Sequence, residues 1–384
     1  MNQRLYIDVH IIQTVPPANL NRDDQGNPKE AVYGGVRRSR VSSQAWKRAT
    51  RRHFDEHTPE PERATRTRRI TGELATRIAA GTGLDRPAAE RIAAALLDQL
   101  GISQGKKAGD TAYLLFYGNA QLDAVAALVT DNAADLAALD DKPLAEAVKG
   151  LPVADAFASG HPVGVALFGR MVADIPKLNV DAAVQVAHAL STHETQLEFD
   201  YFTAVDDQNE RDETGAGMIG TIGFNSATLY RYATVGFPQL TANLGGDTEA
   251  ALDALDRFVD SFARSAPTGY ENSFAHRTRP SLVAVVVRTD QPVNLVSAFE
   301  EPVASTAGIQ AGSARRLAKE HLQATHVWGD TPLYNGASHT FPADEPHTKD
   351  TAEVLAQAFG DPVTFADLRT TLRARISSVL GDQA

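Results

Sequence analysis

Residues 21–54 read NRDDQGNPKEAVYGGVRRSRVSSQAWKRATRRHF. A basic loop containing Gly34 and Gly35 runs directly into a segment with helical spacing. Ser42 and Ser43 are strong N-cap residues, which predicts a helix from there to about Phe54. At about 100° per residue, Lys47, Arg48, Arg51 and Arg52 share one arc of about 140°. Ala45, Trp46, Ala49, Thr50, His53 and Phe54 take the rest of the wheel. One face can pack on a core while the other meets an anion. The helix start adds unpaired N–H donors and a positive dipole end just after Arg37, Arg38 and Arg40. Gly34 and Gly35 let another backbone approach closely. A merely solvated basic face is the bland reading, but loop, cap and stripe agree in sign.

The rest of the chain sharpens the contrast. The 384 residues hold 37 Lys+Arg against 48 Asp+Glu, a net charge of −11. Residues 1–52 carry ten basic and four acidic side chains, a local +6 that leaves −17 elsewhere. Positive charge gathered on an otherwise anionic protein fits a polyanion, with a phosphate backbone the natural candidate. With no cysteine, disulfides and thiolate metal sites are excluded. The opening MNQRLYIDVH has no signal-peptide core, and no uncharged run is long and apolar enough to span a bilayer. A soluble, cytoplasmic protein of two or three domains is expected.

Leu5, Ile7, Val9 and Ile11 alternate with Tyr6, Asp8 and His10, the pattern of a half-buried strand. From about residue 59 to 152, Ala-rich segments with Gly and Pro punctuation predict an all-helical insertion. Strand is expected over 163–172, helix over 181–193, and a polar Gly-rich stretch over 198–223. A strand follows at 224–233, a helix at 248–263 and a β-branched strand at 282–287. Helices at 314–326 and 364–380 close the chain. This alternation reads as an α/β or α+β core with insertions.

Taken in order, LNRDD, GGVRRSRVSSQAWKR, VALFGRM, VDAAVQVAHALSTHE, FDYFTAVDD and LYRYA resemble the CasC family, the guide-RNA-binding backbone subunit of the type I-E CRISPR Cascade complex. The resemblance spans residue 4 to about 300. It implies an α+β fold: a modified RRM-like (ferredoxin-like) palm, a helical fingers insertion and a β-hairpin thumb. Palm would fall at 1–58, fingers at 59–160, palm again at 161–197, thumb at 198–223, and palm completion with C-terminal helices at 224–384. It also implies a non-enzymatic scaffold whose copies assemble head-to-tail along one CRISPR RNA. That scaffold holds the RNA for pairing with target DNA, alongside other Cascade subunits and with no membrane. A sequence-tolerant guide holder must grip phosphates and leave base edges free, as the basic loop and helix suggest.

Carried over by residue, the resemblance places Arg22, Arg37, Arg38 and Arg40 on RNA phosphates. Ser42, Ser43, Gln44, Lys47 and Arg51 join them from the helix. Arg170 would touch a phosphate and Met171 wedge against a base, although from the sequence alone core filling is the commoner use of such a methionine. The thumb, with Gly215, Gly217, Gly220 and Gly223, would fold over the strand and displace bases. Family members can carry a lysine-rich helix that contacts DNA. Here DDKPLAEAVK keeps Lys142 and Lys149 but has Pro143 and Glu146, so only weak DNA contact is expected, with Lys106 and Lys107 as possible compensation.

Other signals compete. Gly215, Gly217 and Gly220 match G-x-G-x-x-G, but an acidic loop precedes them and strand-like sequence follows, against a dinucleotide site. Asp23-Asp24 and Asp206-Asp207 are carboxylate pairs of the kind that hold Mg²⁺, which keeps a metal-dependent ribonuclease using Asp23 or Asp24 as the alternative. His188 and His193 lack helical zinc spacing and read as capping or core residues. Tyr230 and Tyr232 share a strand face and suit base stacking or core packing. No cofactor and no metal site is expected.

Overall fold

The computed structural model describes residues 4–102, 105, 110–111, 114–172, 175–204, 218–304 and 308–381. In chain order come β1 (Tyr6–Ala18), β2 (Glu30–Tyr33), β3 (Val36–Val41), α1 (Ser43–Glu56), β4 (Ala64–Thr67), α2 (Ile70–Thr82), α3 (Arg86–Asp98), β5 (Leu115–Gly118) and α4 (Asn119–Ala127). Next are α5 (Ala133–Ala137), α6 (Asp141–Val148), α7 (Val153–Ala158), α8 (Val163–Phe168), β6 (Val184–Val186), β7 (Ala189–Ser191), β8 (Glu198–Ala204) and β9 (Met218–Gly236). The remainder is α9 (Phe237–Asn243), α10 (Thr248–Arg264), α11 (Glu271–Phe274), β10 (Leu282–Arg288), α12 (Ile309–Trp328), β11 (Tyr334–His339), α13 (Lys349–Phe359) and α14 (Phe365–Gly381). Two compact units result. One holds residues 1–53, 185–235 and 255–384, the other 54–184 and 236–254.

The first unit is built on a sheet ordered β11-β10-β1-β9-β7-β3-β2, with β6 and β8 also pairing with β9. β1 meets β10 antiparallel from Tyr6↔Arg288 to Ile12↔Leu282. β10, LVAVVVR, is rich in β-branched valine and buried at every position, as a strand covered on both faces must be. β1 is covered likewise: its polar positions Asp8 and His10 are buried along with Ile7, Val9 and Ile11. The half-buried strand expected there is therefore a central one. On one face, Ala314, Leu317 and Ala318 of α12 and Leu355, Ala358 and Phe359 of α13 pack on Ile12, Tyr230, Tyr232, Leu282, Ala284 and Val286. On another, Trp46 of α1 packs with Val15, Ala18, Val41, Ala227 and Leu229.

Burying Asp8 and His10 requires partners. Asp8 accepts from the Tyr232 hydroxyl at 2.8 Å, the Val293 amide at 3.0 Å and Arg288 at 3.1 Å. His10 Nδ1 and the Tyr230 hydroxyl lie 2.9 Å apart. By β9's alternation, Arg231 points to the face opposite Tyr230 and Tyr232. It lies 3.7 Å over the Trp46 ring and 4.6 Å over that of Phe262, with one N–H donated to Gln13 at 2.6 Å. Burial without a facing carboxylate lowers its pKa to about 9.

The second unit packs α2, α3, α4, α6 and α7 around a core that includes Leu74, Ile78, Ile92, Leu96, Leu122, Leu144 and Phe157. It is not all-helical: β4 and β5 pair antiparallel from Ala64↔Gly118 to Thr67↔Leu115. Residues 163–172 also depart from the expected strand. Pro162 leads into α8, where its carbonyl accepts the amides of Val165 and Ala166, and residues 164–167 are buried. Burial outweighed the β propensity of VGVALF. Gly169 ends this turn at φ +73°, where a Cβ would lie 2.8 Å from the Val180 carbonyl.

The helix expected over 181–193 is instead β6 and β7. Its alanines suit a helix, but β7 is paired on both sides, Leu190 with Tyr230 and with Arg40. Those ladder bonds override local propensity. The expected strands at 224–233 and 282–287 fall within β9 and β10, the expected helices at 248–263 and 314–326 within α10 and α12, and that at 364–380 overlaps α14, which starts one residue later.

Candidate nucleic-acid interface

The NRDD loop is held by its own side chains. Asp23 Oδ1 accepts the amides of Gln25 and Asn27, both at 2.9 Å, which closes a local turn. Asn21 Oδ1 accepts the Ser42 amide at 2.9 Å and fastens the loop to the start of α1. Asp24 is exposed, as is Arg22, whose guanidinium lies 4.8 Å from the centre of the Tyr270 ring. Among the described residues, no group of three or more His, Asp or Glu side chains is placed to hold a metal.

β2 and β3 form a hairpin turned by Gly34 and Gly35, at φ +61° and +78°. Two successive positive φ values are what a two-residue type I′ turn demands. The close approach that Gly34 permits is to this chain itself. A Cβ there would sit 1.6 Å from the Glu300 carbonyl oxygen.

The three arginines of β3 have different fates. Arg37 is exposed and pairs with Glu30 at 2.7 Å. Arg40 is partly buried and donates to the Glu30 carbonyl at 3.2 Å and to His188 Nδ1 at 3.1 Å. Arg38 is wholly buried, donating to the carbonyls of Tyr33, Ser191, Phe299 and Glu300 at 2.9–3.2 Å. It has no surface to offer a phosphate, which corrects the expectation for this residue. Adjacent residues of a strand point to opposite faces, so Arg37 and Arg38 could not both face one ligand.

Along α1, Ser42 is the N-cap, its hydroxyl accepting the Ala45 amide at 3.3 Å. Ser42 is buried and holds the helix; Ser43 is partly exposed and Gln44 exposed. Trp46 and Thr50 face inward, and Thr50 meets Ser265 at 3.3 Å. Arg48 and Arg52 are exposed, while Lys47 and Arg51 flank them half-buried. Burial lowers the Lys47 pKa below its ordinary value. A cation that is partly stripped of water binds an anion more strongly than a solvated one.

β8 and β9 form the arms of a hairpin, paired from Glu198↔Phe224 to Ala204↔Met218. Residues 205–217, including Asp206, Asp207, Gly215 and Gly217, lie outside the described residues. Phe199 and Tyr201, two apart on β8, are 61% and 64% exposed. The sequence reading passed over them, although the alternation in FDYF puts both on one strand face. At the hairpin base, Asn19 donates to the Gly223 carbonyl at 2.9 Å, and a Cβ on Gly223 would strike Asn27 at 2.5 Å. Gly220 leaves room for the Phe202 ring. Tyr230 and Tyr232 are not stacking residues: both are core, beneath α12 and α13. His193 Nε2 accepts the Thr228 amide at 3.0 Å, a structural role on the sheet.

In the second unit, Arg170 and Met171 part company. Arg170 is buried, donating to the carbonyls of Leu178 at 2.6 Å, Phe157 at 2.9 Å and Phe116 at 3.4 Å. Burial lowers its pKa to about 10. It braces the unit from within and cannot reach a phosphate, a second correction. Met171 is 84% exposed and so is not core filler. Lys142 and Lys149 on and after α6 are exposed, and Lys149 pairs with Glu146 at 3.4 Å. Lys106 and Lys107 lie outside the described residues.

A family model described as CT1975-like protein matches residues 7–366. The chain belongs to that family. Solved structures are similar to the chain as well. A chain of a "CRISPR RNA-guided surveillance complex, pre-nicking" is 32% identical to this CT1975-like protein, with a TM-score of 0.79, covering 96% of this chain and 99% of the other. A chain of a "CRISPR RNA-guided surveillance complex" is 28% identical, with a TM-score of 0.71 over the same shares. No curated protein sequence matches. The CT1975-like chain has the mixed α/β architecture and antiparallel sheet of these subunits, and no described helix is long and apolar enough to cross a membrane.

Proposed function

We propose that this CT1975-like protein is a non-catalytic scaffold that grips CRISPR RNA within a Cascade-type surveillance complex, in the manner of the CasC backbone subunit of type I-E. The observation that carries the reading is the concentration of exposed cations on one loop and helix of an acidic protein. Arg22, Arg37, Arg48 and Arg52 are exposed and Arg40, Lys47 and Arg51 partly so, on the NRDD loop, β3 and α1. Such a surface recognises phosphates without reading sequence. The likeness to chains of RNA-guided surveillance complexes supports the same choice of ligand.

In this reading the sheet unit is the RRM-like palm, the second unit supplies the fingers, and the β8–β9 hairpin is the thumb. Phe199 and Tyr201 give the hairpin aromatic faces on which bases can stack. Met171 serves as an apolar wedge. Copies of the chain bind side by side along the RNA through a heterologous, head-to-tail interface. Other Cascade subunits complete the assembly and target DNA pairs with the held guide. Direct DNA contact through Lys142 and Lys149 is weak, since Glu146 already engages Lys149. The protein works in the cytoplasm, without metal or cofactor. A ribonuclease centred on Asp23 is disfavoured because Asp23 Oδ1 already accepts two amides of its own loop.

Binding of a labelled single-stranded RNA measured across a salt series tests this. Affinity falls steeply with salt, and Arg37→Ala, Lys47→Ala or Arg51→Ala each lowers it regardless of RNA sequence, reducing the slope by about one. Salt-independent binding, or RNA cleavage that needs Mg²⁺ and disappears in Asp23→Ala, contradicts it.

A further inference from the structure

Arg22 is the cation of the NRDD loop, and a separate loop some 250 residues away in sequence brings an aromatic ring against it. Residues 269–276 carry the one-turn helix α11. Tyr270 and Ala275 on either side of it have φ of +49° and +44°, the only non-glycine positive values among the described residues. Left-handed backbone at a tyrosine or alanine is strained by roughly 1–3 kcal/mol and persists only where the surroundings impose it.

The surroundings are visible. A Cβ on Gly269 would lie 2.4 Å from the Asn19 carbonyl oxygen and 2.5 Å from that of Leu20, so this loop is pressed against the chain just ahead of Arg22. His276 is buried, its Nε2 2.9 Å from the Pro267 carbonyl. Arg277 pairs with Glu271 across the turn. The strained Tyr270 backbone delivers its ring beneath the Arg22 guanidinium, 4.8 Å from ring centre to Cζ. The ring's other contacts lead inward. It meets Phe274 edge-on at 6.4 Å, and Phe274 meets Phe224, opposite Glu198 at the hairpin base, at 5.9 Å.

We infer that Tyr270 is a positioning residue for Arg22: the strained 269–276 loop holds an aromatic platform that fixes the guanidinium for an RNA phosphate. This rests on the RNA-binding reading above. An exposed arginine sweeps many rotamers, and each phosphate contact must then order it. A ring face beneath the guanidinium selects one orientation and leaves its N–H edge outward. The Phe274–Phe224 contacts tie that platform to the base of the hairpin, so loop, arginine and hairpin keep a constant spacing.

The test uses the full-length protein and a fluorescein-labelled oligouridylate at fixed low salt. Tyr270→Phe keeps the ring and retains affinity. Tyr270→Asn removes the ring but suits a left-handed backbone, so affinity falls about threefold to tenfold while the melting temperature holds. In an Arg22→Ala background, Tyr270→Asn has no further effect on affinity, which a merely structural role would not produce. Equal losses in both backgrounds, or no loss in either, overturn the inference. If Arg22→Ala is silent while Lys47→Ala and Arg51→Ala still weaken binding, the inference alone fails. If all of these are silent, the RNA reading fails with it.

Discussion

Asn21 Oδ1 accepts the backbone amide of Ser42 at 2.9 Å, while the Ser42 hydroxyl accepts the Ala45 amide at 3.3 Å. The arginine-bearing loop and the first turn of α1 thus share one joint, and the cations on both keep a fixed relation. Ser42→Ala removes the cap and lowers stability by about 1 kcal/mol, read as a lower urea midpoint. Asn21→Ala lowers stability by a similar amount, about 1–3 kcal/mol, by leaving the Ser42 amide unpaired. It also weakens RNA binding, because the loop is released. Unchanged urea midpoints in both variants would contradict this joint.

Neighbouring arginines on β3 give opposite outcomes. Arg38→Ala strips a donor from four carbonyls, those of Ser191 and Phe299 in buried bonds, and destabilises by several kcal/mol, on the order of 3–5. Arg37→Ala, whose ion pair with Glu30 is exposed, changes stability by less than about 1 kcal/mol but weakens RNA binding. Chemical denaturation and a binding titration on both proteins separate them. Equal stability losses would refute the assignment.

The aromatics divide in the same way. Phe199→Ala and Tyr201→Ala leave the fold intact and weaken RNA binding by up to about 1–3 kcal/mol for each stacked base. Tyr230→Phe removes the hydroxyl that meets His10, Asn294 and the Leu295 amide, and lowers stability by about 1–2 kcal/mol. Its RNA affinity under native conditions is unchanged. A loss of RNA affinity in Tyr230→Phe with normal stability would return that residue to the binding surface.

Much of this was legible in the sequence, and the exceptions have physical causes. The cap at Ser42, the inward Trp46 and Thr50, and the outward Arg48 and Arg52 follow from helical periodicity alone. The family resemblance alone sets Arg38 on a phosphate, whereas strand alternation sends it inward beside an outward Arg37. The resemblance likewise sets Arg170 on a phosphate, whereas its guanidinium is satisfied on carbonyls inside its own unit, which no local sequence pattern reveals. Tyr230 and Tyr232 lie under α12 and α13, whose packing on the sheet no local pattern predicts. Those two helices also give the C-terminal region its role, closing one face of the sheet core. β7 became strand because partners on both sides were available, and such long-range pairing leaves no local trace.

Two buried histidines predict how stability responds to pH. His10 and His321 are both held below the ordinary value of 6.5, chiefly by burial, His321 at about 4. Unfolding restores both to the ordinary range, so below about pH 6.5 the unfolded chain binds more protons than the folded one. Their contribution is complete above that pH and is lost as pH falls toward 4, up to about 3 kcal/mol for His321. Asp8, raised by burial, offsets part of the loss at the acid end. The urea midpoint should drop between about pH 7 and pH 5, and the double variant His10→Gln/His321→Gln should make that drop smaller, leaving the share of His161, His188, His193 and His339, which burial also holds low. A flat wild-type profile would contradict it.

The central claim is that the basic loop and helix hold a guide RNA. The most direct measurement is to purify the protein, take its ultraviolet absorbance ratio and sequence any nucleic acid that accompanies it. The account predicts RNA of uniform length with a constant, repeat-derived end, released by high salt. Protein free of nucleic acid that also ignores added RNA at low salt would contradict it.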